Sequence, residues 1–257
     1  MRHRRFCHPL SRLLLGLCLA LALSTPGQAT TLGQRKFTCG LCGEKFTDKV
    51  VYSTNVMERD AEFRTYAAGL QPMAFYPHTC PACGFTDTSH DVKLSEAEKA
   101  ESKKFLATYC QKHDCKKLSP SQKYEVIAHI CVVRQLSSLK IAYVFHQAAW
   151  MADDEKNREG AERFRSETLR LLNQALEKQE VKAEMVPTVT YLVGELNRRL
   201  GNFDEALKWF ARVKPDVPQL TKLLEQQQKL ASEHNAAKAM MPVFKEEAPK
   251  GEAPKKK

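Results

Sequence analysis

At 257 residues, 43% of them hydrophobic and 27% charged, the chain can bury an ordinary core, which excludes a disordered polymer. Its formal charge is +10, from 40 basic and 30 acidic side chains. Four of the arginines (Arg2, Arg4, Arg5, Arg12) stand in the first 29 residues, which carry no acid, so the remainder holds 36 against 30. No basic stripe of the kind that tracks nucleic acid stands out, and no nucleic-acid partner is expected.

Residues 1–29 read as a secretory signal peptide: an arginine-rich start, an apolar run of 11 from Leu13 to Leu23, and small residues up to Ala29. The run is shorter than the roughly 20 residues of a membrane-spanning helix. Leu17 is a poor neighbour for a lipidated Cys18, and Arg4-Arg5-Phe6 matches a twin-arginine signal only faintly. The chain is therefore expected to be exported, with a membrane attachment only through an uncleaved leader.

Residues 35–95 form a module around two cysteine pairs, Cys39-Gly-Leu-Cys42-Gly43 and Cys80-Pro-Ala-Cys83-Gly84. Each is a tight turn that sets two thiols on one side, and the trailing glycine permits the positive φ that aims backbone amides at the sulfurs. Two such knuckles supply Cys39, Cys42, Cys80 and Cys83, the complete shell of a closed tetrahedral site for Zn2+. Two disulfides or free thiols are the alternative. Four thiolates also accept iron, and the second knuckle has the pattern of the rubredoxins, although the 37-residue segment between the knuckles is longer than theirs. A catalytic zinc is not expected, because four cysteines leave no position for water. Between the knuckles Lys45 to Ser53 alternates like a strand, and Asp60, Glu62 and Phe63 lie in a polar stretch. His78, two residues before Cys80, is expected to face solvent from a strand rather than act as a spare ligand or base.

Removing Cys7 and Cys18 with the leader leaves seven cysteines, an odd number that cannot pair fully. Outside the cytoplasm thiols tend to oxidise, whereas zinc needs them reduced; bound metal protects the thiolates it holds. Cys110 and Cys115 bracket a polar inter-helix turn, and a short-loop disulfide, a bridge from one of them to Cys131, or idle thiols are the open readings.

From residue 96 to 218 the chain reads as helical. Ser95-Glu96-Ala97-Glu98 is a capping box that opens a charged helix to about Tyr109, and Ser119-Pro120-Ser121-Gln122 opens the next. Apolar residues then recur at helical spacing from Tyr124 to Trp150, up to Asp153, with His129 and His146 read as packing or surface residues. Asp153 to Gly160 is a polar loop, and Ala161 to Gln179 carries a second apolar face. Pro187 opens a helix that ends at Gly201-Asn202, and Asp204 to Lys214 is its partner. Gly194, Gly201, Ala206 and Phe210 stand at the spacings of a tetratricopeptide repeat, and Leu139–Ala152 with Ala161–Gln179 looks like a degenerate copy. Residues 219–257 are expected to be a polar helix to about Lys238 followed by a disordered, lysine-ended tail.

Taken with Arg59-Asp60, Glu62-Phe63, Ala148-Ala149-Trp150, Gly194-Glu195-Leu196, Arg199-Leu200-Gly201 and Lys208-Trp209-Phe210, the two knuckles make residues 36–217 resemble a bacterial family known as domain of unknown function 2225. The resemblance implies a zinc-ribbon-like module followed by tetratricopeptide-like antiparallel helix pairs: a mainly α protein with a small β N-terminal part. It implies no reaction. Many members of that family look leaderless, so the leader here is a departure.

The functional expectation is a non-enzymatic, exported, metal-stabilised scaffold in a bacterial periplasm, which binds a protein or peptide partner through its helical repeats. The alternative is a redox or electron-transfer protein that uses the four thiolates, with rubredoxin-like iron or a redox-sensing zinc.

Overall fold

The computed structural model describes residues 30–215 and 218–242. The expected leader and the lysine-ended tail lie outside the described residues. Six short strands come first: β1 (Thr31–Thr38), β2 (Lys45–Ser53), β3 (Val56–Arg59), β4 (Thr65–Ala67), β5 (His78–Thr79) and β6 (Thr86–Asp87). They pair as three separate antiparallel ribbons, β1 with β2, β3 with β4 and β5 with β6. Strand β2 occupies the segment expected of it. Strand β1, which spans Thr31–Thr38, was not foreseen. In Thr-Leu-Gly-Gln-Arg-Lys-Phe-Thr only Phe37 is buried, so there is no apolar alternation to read.

Seven α-helices follow among the described residues: α1 (Glu96–Lys112), α2 (Pro120–Val133), α3 (Ser138–Asp154), α4 (Arg158–Glu177), α5 (Val186–Arg199), α6 (Phe203–Phe210) and α7 (Pro218–Ser232). Both expected capping boxes are present, with the Ser95 and Ser119 hydroxyls accepting from the Glu98 and Gln122 amides. The apolar run from Tyr124 to Asp153 is two helices, α2 and α3, because the chain turns at Gln135, whose φ is 54°. Neither Gly nor Pro marks that turn. The expected loop of residues 153–160 shrinks to three residues, with Asn157 Oδ1 capping α4 by accepting from the Gly160 amide at 2.9 Å. Helix α6 ends at Phe210, short of the expected Lys214.

Helices α3 and α4 pack along one another, as do α5 and α6, each pair closed by a short turn. At the α5–α6 contact a Cβ on Gly194 would lie 2.5 Å from Phe210 Cδ1. The glycine is therefore what lets the two backbones approach. The helical packing does not stop at residue 218, because Leu220, Leu223, Leu224 and Ala231 of α7 are buried in the same cluster as Ala206 and Phe210. The chain then returns to the ribbons: the Ala61 amide donates to Ala239 O at 2.8 Å and the Met241 amide to Arg59 O at 2.9 Å.

The turn between β3 and β4 inserts into the helical body. Asp60 Oδ1 accepts from the Glu62 and Arg64 amides, each at 3.0 Å, and holds the turn shut. That turn carries Glu62, 2% exposed, down between α3, α4 and α5. There its carboxylate accepts from His146 Nε2 at 3.0 Å, Trp150 Nε1 at 3.1 Å and Arg165 Nε at 3.0 Å, and pairs with Arg199 Nη1 at 3.2 Å. Arg165 and Arg199 share Asp153 as a second counter-ion, and Arg64 pairs with Asp154. Burial alone would raise the Glu62 pKa, but Arg165, His146 and Arg199 together outweigh it and hold the carboxyl well below its ordinary range. The polar reading of residues 60–63 is thus corrected: Asp60, Ala61 and Glu62 are each at most 2% exposed.

Two variants test this architecture by urea denaturation. Gly194→Ala should lose about 1–3 kcal/mol despite the better helix propensity of alanine, because its Cβ overpacks Phe210. Glu62→Gln should lose about 3–5 kcal/mol by leaving two buried guanidinium groups short of a counter-charge. Because the folded-state pKa of Glu62 is depressed, the stability it contributes is complete above its unfolded value of 4.5 and is lost as pH falls below it. The decline of stability on the acid side should accordingly be shallower in Glu62→Gln.

Candidate metal centre

The two knuckles occupy equivalent places in their ribbons, Cys39 to Gly43 between β1 and β2 and Cys80 to Gly84 between β5 and β6. Their backbones close identically. The Gly43 amide donates to Cys39 O and the Gly84 amide to Cys80 O, both at 2.9 Å, with the glycines at φ 80° and 75°. The Cys39 amide donates to Glu44 O and the Cys80 amide to Phe85 O, both at 2.8 Å. This is a local consequence of Cys-x-x-Cys-Gly, since only glycine takes that φ without strain.

The ribbons bring the four expected cysteines together. Cys39 Sγ lies 3.7 Å from Cys83 Sγ and Cys42 Sγ lies 3.6 Å from Cys80 Sγ, and all four sulfurs fall within 4.8 Å of one another. A tetrahedral ion with metal–sulfur bonds of about 2.3 Å requires sulfur–sulfur edges of about 3.8 Å. Two of the sulfur–sulfur distances match that edge, and the four sulfurs are close enough together to hold a metal ion. Cys39 and Cys80 are buried, Cys83 is half-buried and Cys42 is exposed.

The electrostatics of the cluster call for a cation. The hydrogen bond from the Cys83 thiol, helped by His90 and the Leu41 and Cys42 amides, holds Cys39 down to about 3 against burial. The same hydrogen bond pushes Cys83 up, and burial pushes Cys80 up to about 11. Without a positive charge the cluster favours the Cys39 thiolate and resists those of Cys80 and Cys83, a resistance that a bound cation would relieve.

His90 fits the same conclusion. It takes φ 59°, and its ring packs against Phe37, Phe46 and Phe85 beside the cluster. Nε2 donates to His78 O at 2.8 Å, while Nδ1 is buried with no hydrogen-bond partner. With Nε2 already donating, Nδ1 carries a proton only in the imidazolium form. Burial opposes that form but a Cys39 thiolate favours it, lifting the His90 pKa and offering Nδ1–H an acceptor. Sequence reasoning passed over His90; its only signal was a polar turn seven residues past the last ligand.

The other singled-out residues lie elsewhere. His78 does not face solvent: it is 3% exposed, and Nδ1 pairs with Asp48 Oδ2 at 3.2 Å, outside the sulfur cluster. Its ring lies on Phe37 at 4.2 Å, and that contact is why the strand end is covered. His146 is a packing residue held by Glu62, and His129 stacks on Phe105. Cys110 and Cys115 form a disulfide, whereas Cys131 is a buried free thiol.

The four-cysteine cluster is not an independent body. Cys39, Leu41, Cys80 and Phe85 share one apolar core with Leu106 and Tyr109 of α1 and Val126 and Ile130 of α2. Fold and site together define a class: a four-cysteine, ribbon-type head built onto helix hairpins, with its sulfurs arranged for a metal ion. The family described as "Uncharacterized protein conserved in bacteria (DUF2225)" matches residues 32–234, and the chain belongs to it. Searches of curated proteins and of solved structures find no match. Of the residues on which the resemblance rests, Glu62, Trp150 and Arg199 meet in the buried charge network. His146, Arg165 and Asp153 complete that network and were invisible as a set in the sequence.

Stripping the protein with a chelator should lower its thermal midpoint and leave most of the far-ultraviolet helical signal, and re-addition of metal should restore the midpoint. Cys80→Ser, which removes the most buried ligand, should bind less than a tenth of the metal held by the unaltered chain, read by elemental analysis.

Proposed function

We propose that this chain is a non-enzymatic, exported scaffold, braced by one structural Zn2+, that holds a protein or peptide partner on its stacked helix hairpins. The observation that carries the reading is the convergence of Cys39, Cys42, Cys80 and Cys83, whose four sulfurs would complete the shell of a tetrahedral ion and leave none of it for water or substrate. The second cluster of charged side chains, around Glu62, supports the same reading: each of its ionised groups faces an opposite charge across the joint between ribbon and helix. Such balance suits a structural clamp better than a group poised for proton transfer. The Cys110–Cys115 disulfide supports an oxidising compartment such as the periplasm. Among the described residues no helix is long and apolar enough to cross a membrane.

In the metal-braced state the head fixes α1 and α2, on which α3 and the following hairpins stack. Val132 and Tyr143, apolar side chains exposed on α2 and α3, are contact points for a partner on this body. The test is purification of the full chain from the envelope fraction of its bacterium, with elemental analysis and capture of co-purifying protein. One zinc per chain, a colourless protein, and a specific companion lost in Val132→Asp with Tyr143→Asp are the expected results. A coloured, reducible iron form would transfer the site to electron transfer. Recovery of the chain in the cytoplasm, or the same companions from the double variant, would overturn the scaffold reading.

A further inference from the structure

The Cys110–Cys115 disulfide closes the loop after α1, and it sits directly on the second metal knuckle. A Cβ built on Gly84 would lie 2.9 Å from Cys115 Cβ, 3.1 Å from Cys115 Sγ and 3.2 Å from Cys110 Sγ. Nothing but a glycine hydrogen therefore separates the disulfide from the residue whose amide closes the Cys80–Cys83 turn. Beside this contact opens a groove of about 440 Å³, lined by Cys83, Cys110 and Cys115 and by the cationic Lys103 and Lys116. Both disulfide cysteines are half-buried rather than enclosed, so a small thiol can reach them from the groove.

We propose that Cys110–Cys115 is a redox-active disulfide, open to exchange with a dithiol reductant in this groove, and that its oxidation state is coupled through Gly84 to metal occupancy of the four-cysteine site. The exchange balances without any further reactant. A thiolate of the dithiol attacks Cys110 Sγ, the Cys110–Cys115 bond breaks, and Cys115 leaves as a thiolate that takes up a proton. The second thiol of the reductant, deprotonated, then attacks the mixed disulfide, releasing Cys110 as a thiolate that is protonated in turn, and leaves as a cyclic disulfide. Two electrons pass from the dithiol to the protein. Cys115 is the better leaving group, since Cys110 lies in the last turn of α1, where the helix carbonyls disfavour an anion. Lys103 and Lys116 on the groove wall favour the incoming thiolate against the one acid there, Asp114.

The coupling has a steric origin and a defined sign. Two thiols in van der Waals contact stand roughly 1.5 Å further apart than two bonded sulfurs. The widened pair presses on Gly84, which a bound metal holds rigid through Cys83 and Cys80. Metal occupancy therefore favours the disulfide, and by thermodynamic reciprocity the disulfide favours the metal. This inference rests on the four-cysteine site binding a metal, whichever ion it is.

The test equilibrates the full chain, zinc-loaded or chelator-stripped, in dithiothreitol redox buffers, alkylates it after acid quenching, and reads the Cys110 and Cys115 peptides by mass spectrometry. The zinc-loaded protein should need at least a tenfold higher ratio of reduced to oxidised dithiothreitol for half-reduction, equivalent to about 30 mV. Zinc competition against a chromophoric chelator should show the oxidised chain holding zinc at least tenfold more tightly than the reduced one. Cys110→Ala with Cys115→Ala should abolish that dependence on reductant. Zinc binding with coincident midpoints overturns the coupling alone, as does an equal effect of reductant on the double variant. A disulfide untouched by the dithiol overturns the exchange site, and a chain that binds neither zinc nor iron overturns both the metal reading and the coupling.

Discussion

A two-stranded ribbon does not hold its shape in water, and the N-terminal part of this protein is made of three of them that never join into a larger sheet. Each leaves its backbone edges open and covers too few apolar side chains to offset the entropy of ordering it. What the ribbons lack internally they take from outside. At one end four sulfurs converge closely enough to hold a metal ion; at the other a buried carboxylate is seized by three helices. The architecture follows from that shortage.

The two attachments are physically different. The four-cysteine head shares its core with α1 and α2, so Leu41 and Phe85 pack in one cluster with Leu106, Tyr109 and Ile130. This contact is apolar and tolerant of small shifts. The Glu62 joint is ionic and directional. A carboxylate with guanidinium, imidazole and indole donors has one satisfactory position, and any other docking would strand a charge in the interior. Burial of such a network is a costly way to gain stability but an effective way to exclude wrong dockings of the ribbon. The return of the chain end to Ala61 and Arg59 covers the same turn from its other side.

The head places two kinds of sulfur chemistry side by side. The four knuckle cysteines are free thiols, and a bound cation would give them a reason to ionise and occupy the lone pairs an oxidant needs. The Cys110–Cys115 pair, a few ångströms away across Gly84, has no such cation and is oxidised. One apolar core thus holds free thiols and a disulfide side by side. The odd cysteine, Cys131, is removed from either chemistry by burial in the helical core.

The features legible in the sequence are those set by a few neighbouring residues. Cys-x-x-Cys-Gly dictates its own turn, so the four clustered cysteines were readable, as were the capping boxes at Ser95 and Ser119 and the small-residue contact of Gly194. Strand β1 was not, because its neighbours rather than its own alternation make it a strand, and the break at Gln135 has no residue that demands it. His78 was misjudged for the same reason: its exposure depends on Phe37, an approach made by another strand. The Glu62 network draws on residues 84 to 137 positions away, and the disulfide meets Gly84 from the end of a helix that follows it. Local backbone preference is written residue by residue, so the sequence by itself determined the knuckles, the caps and most helices. Which buried charge finds which partner depends on distance through space, and that only the tertiary structure decided.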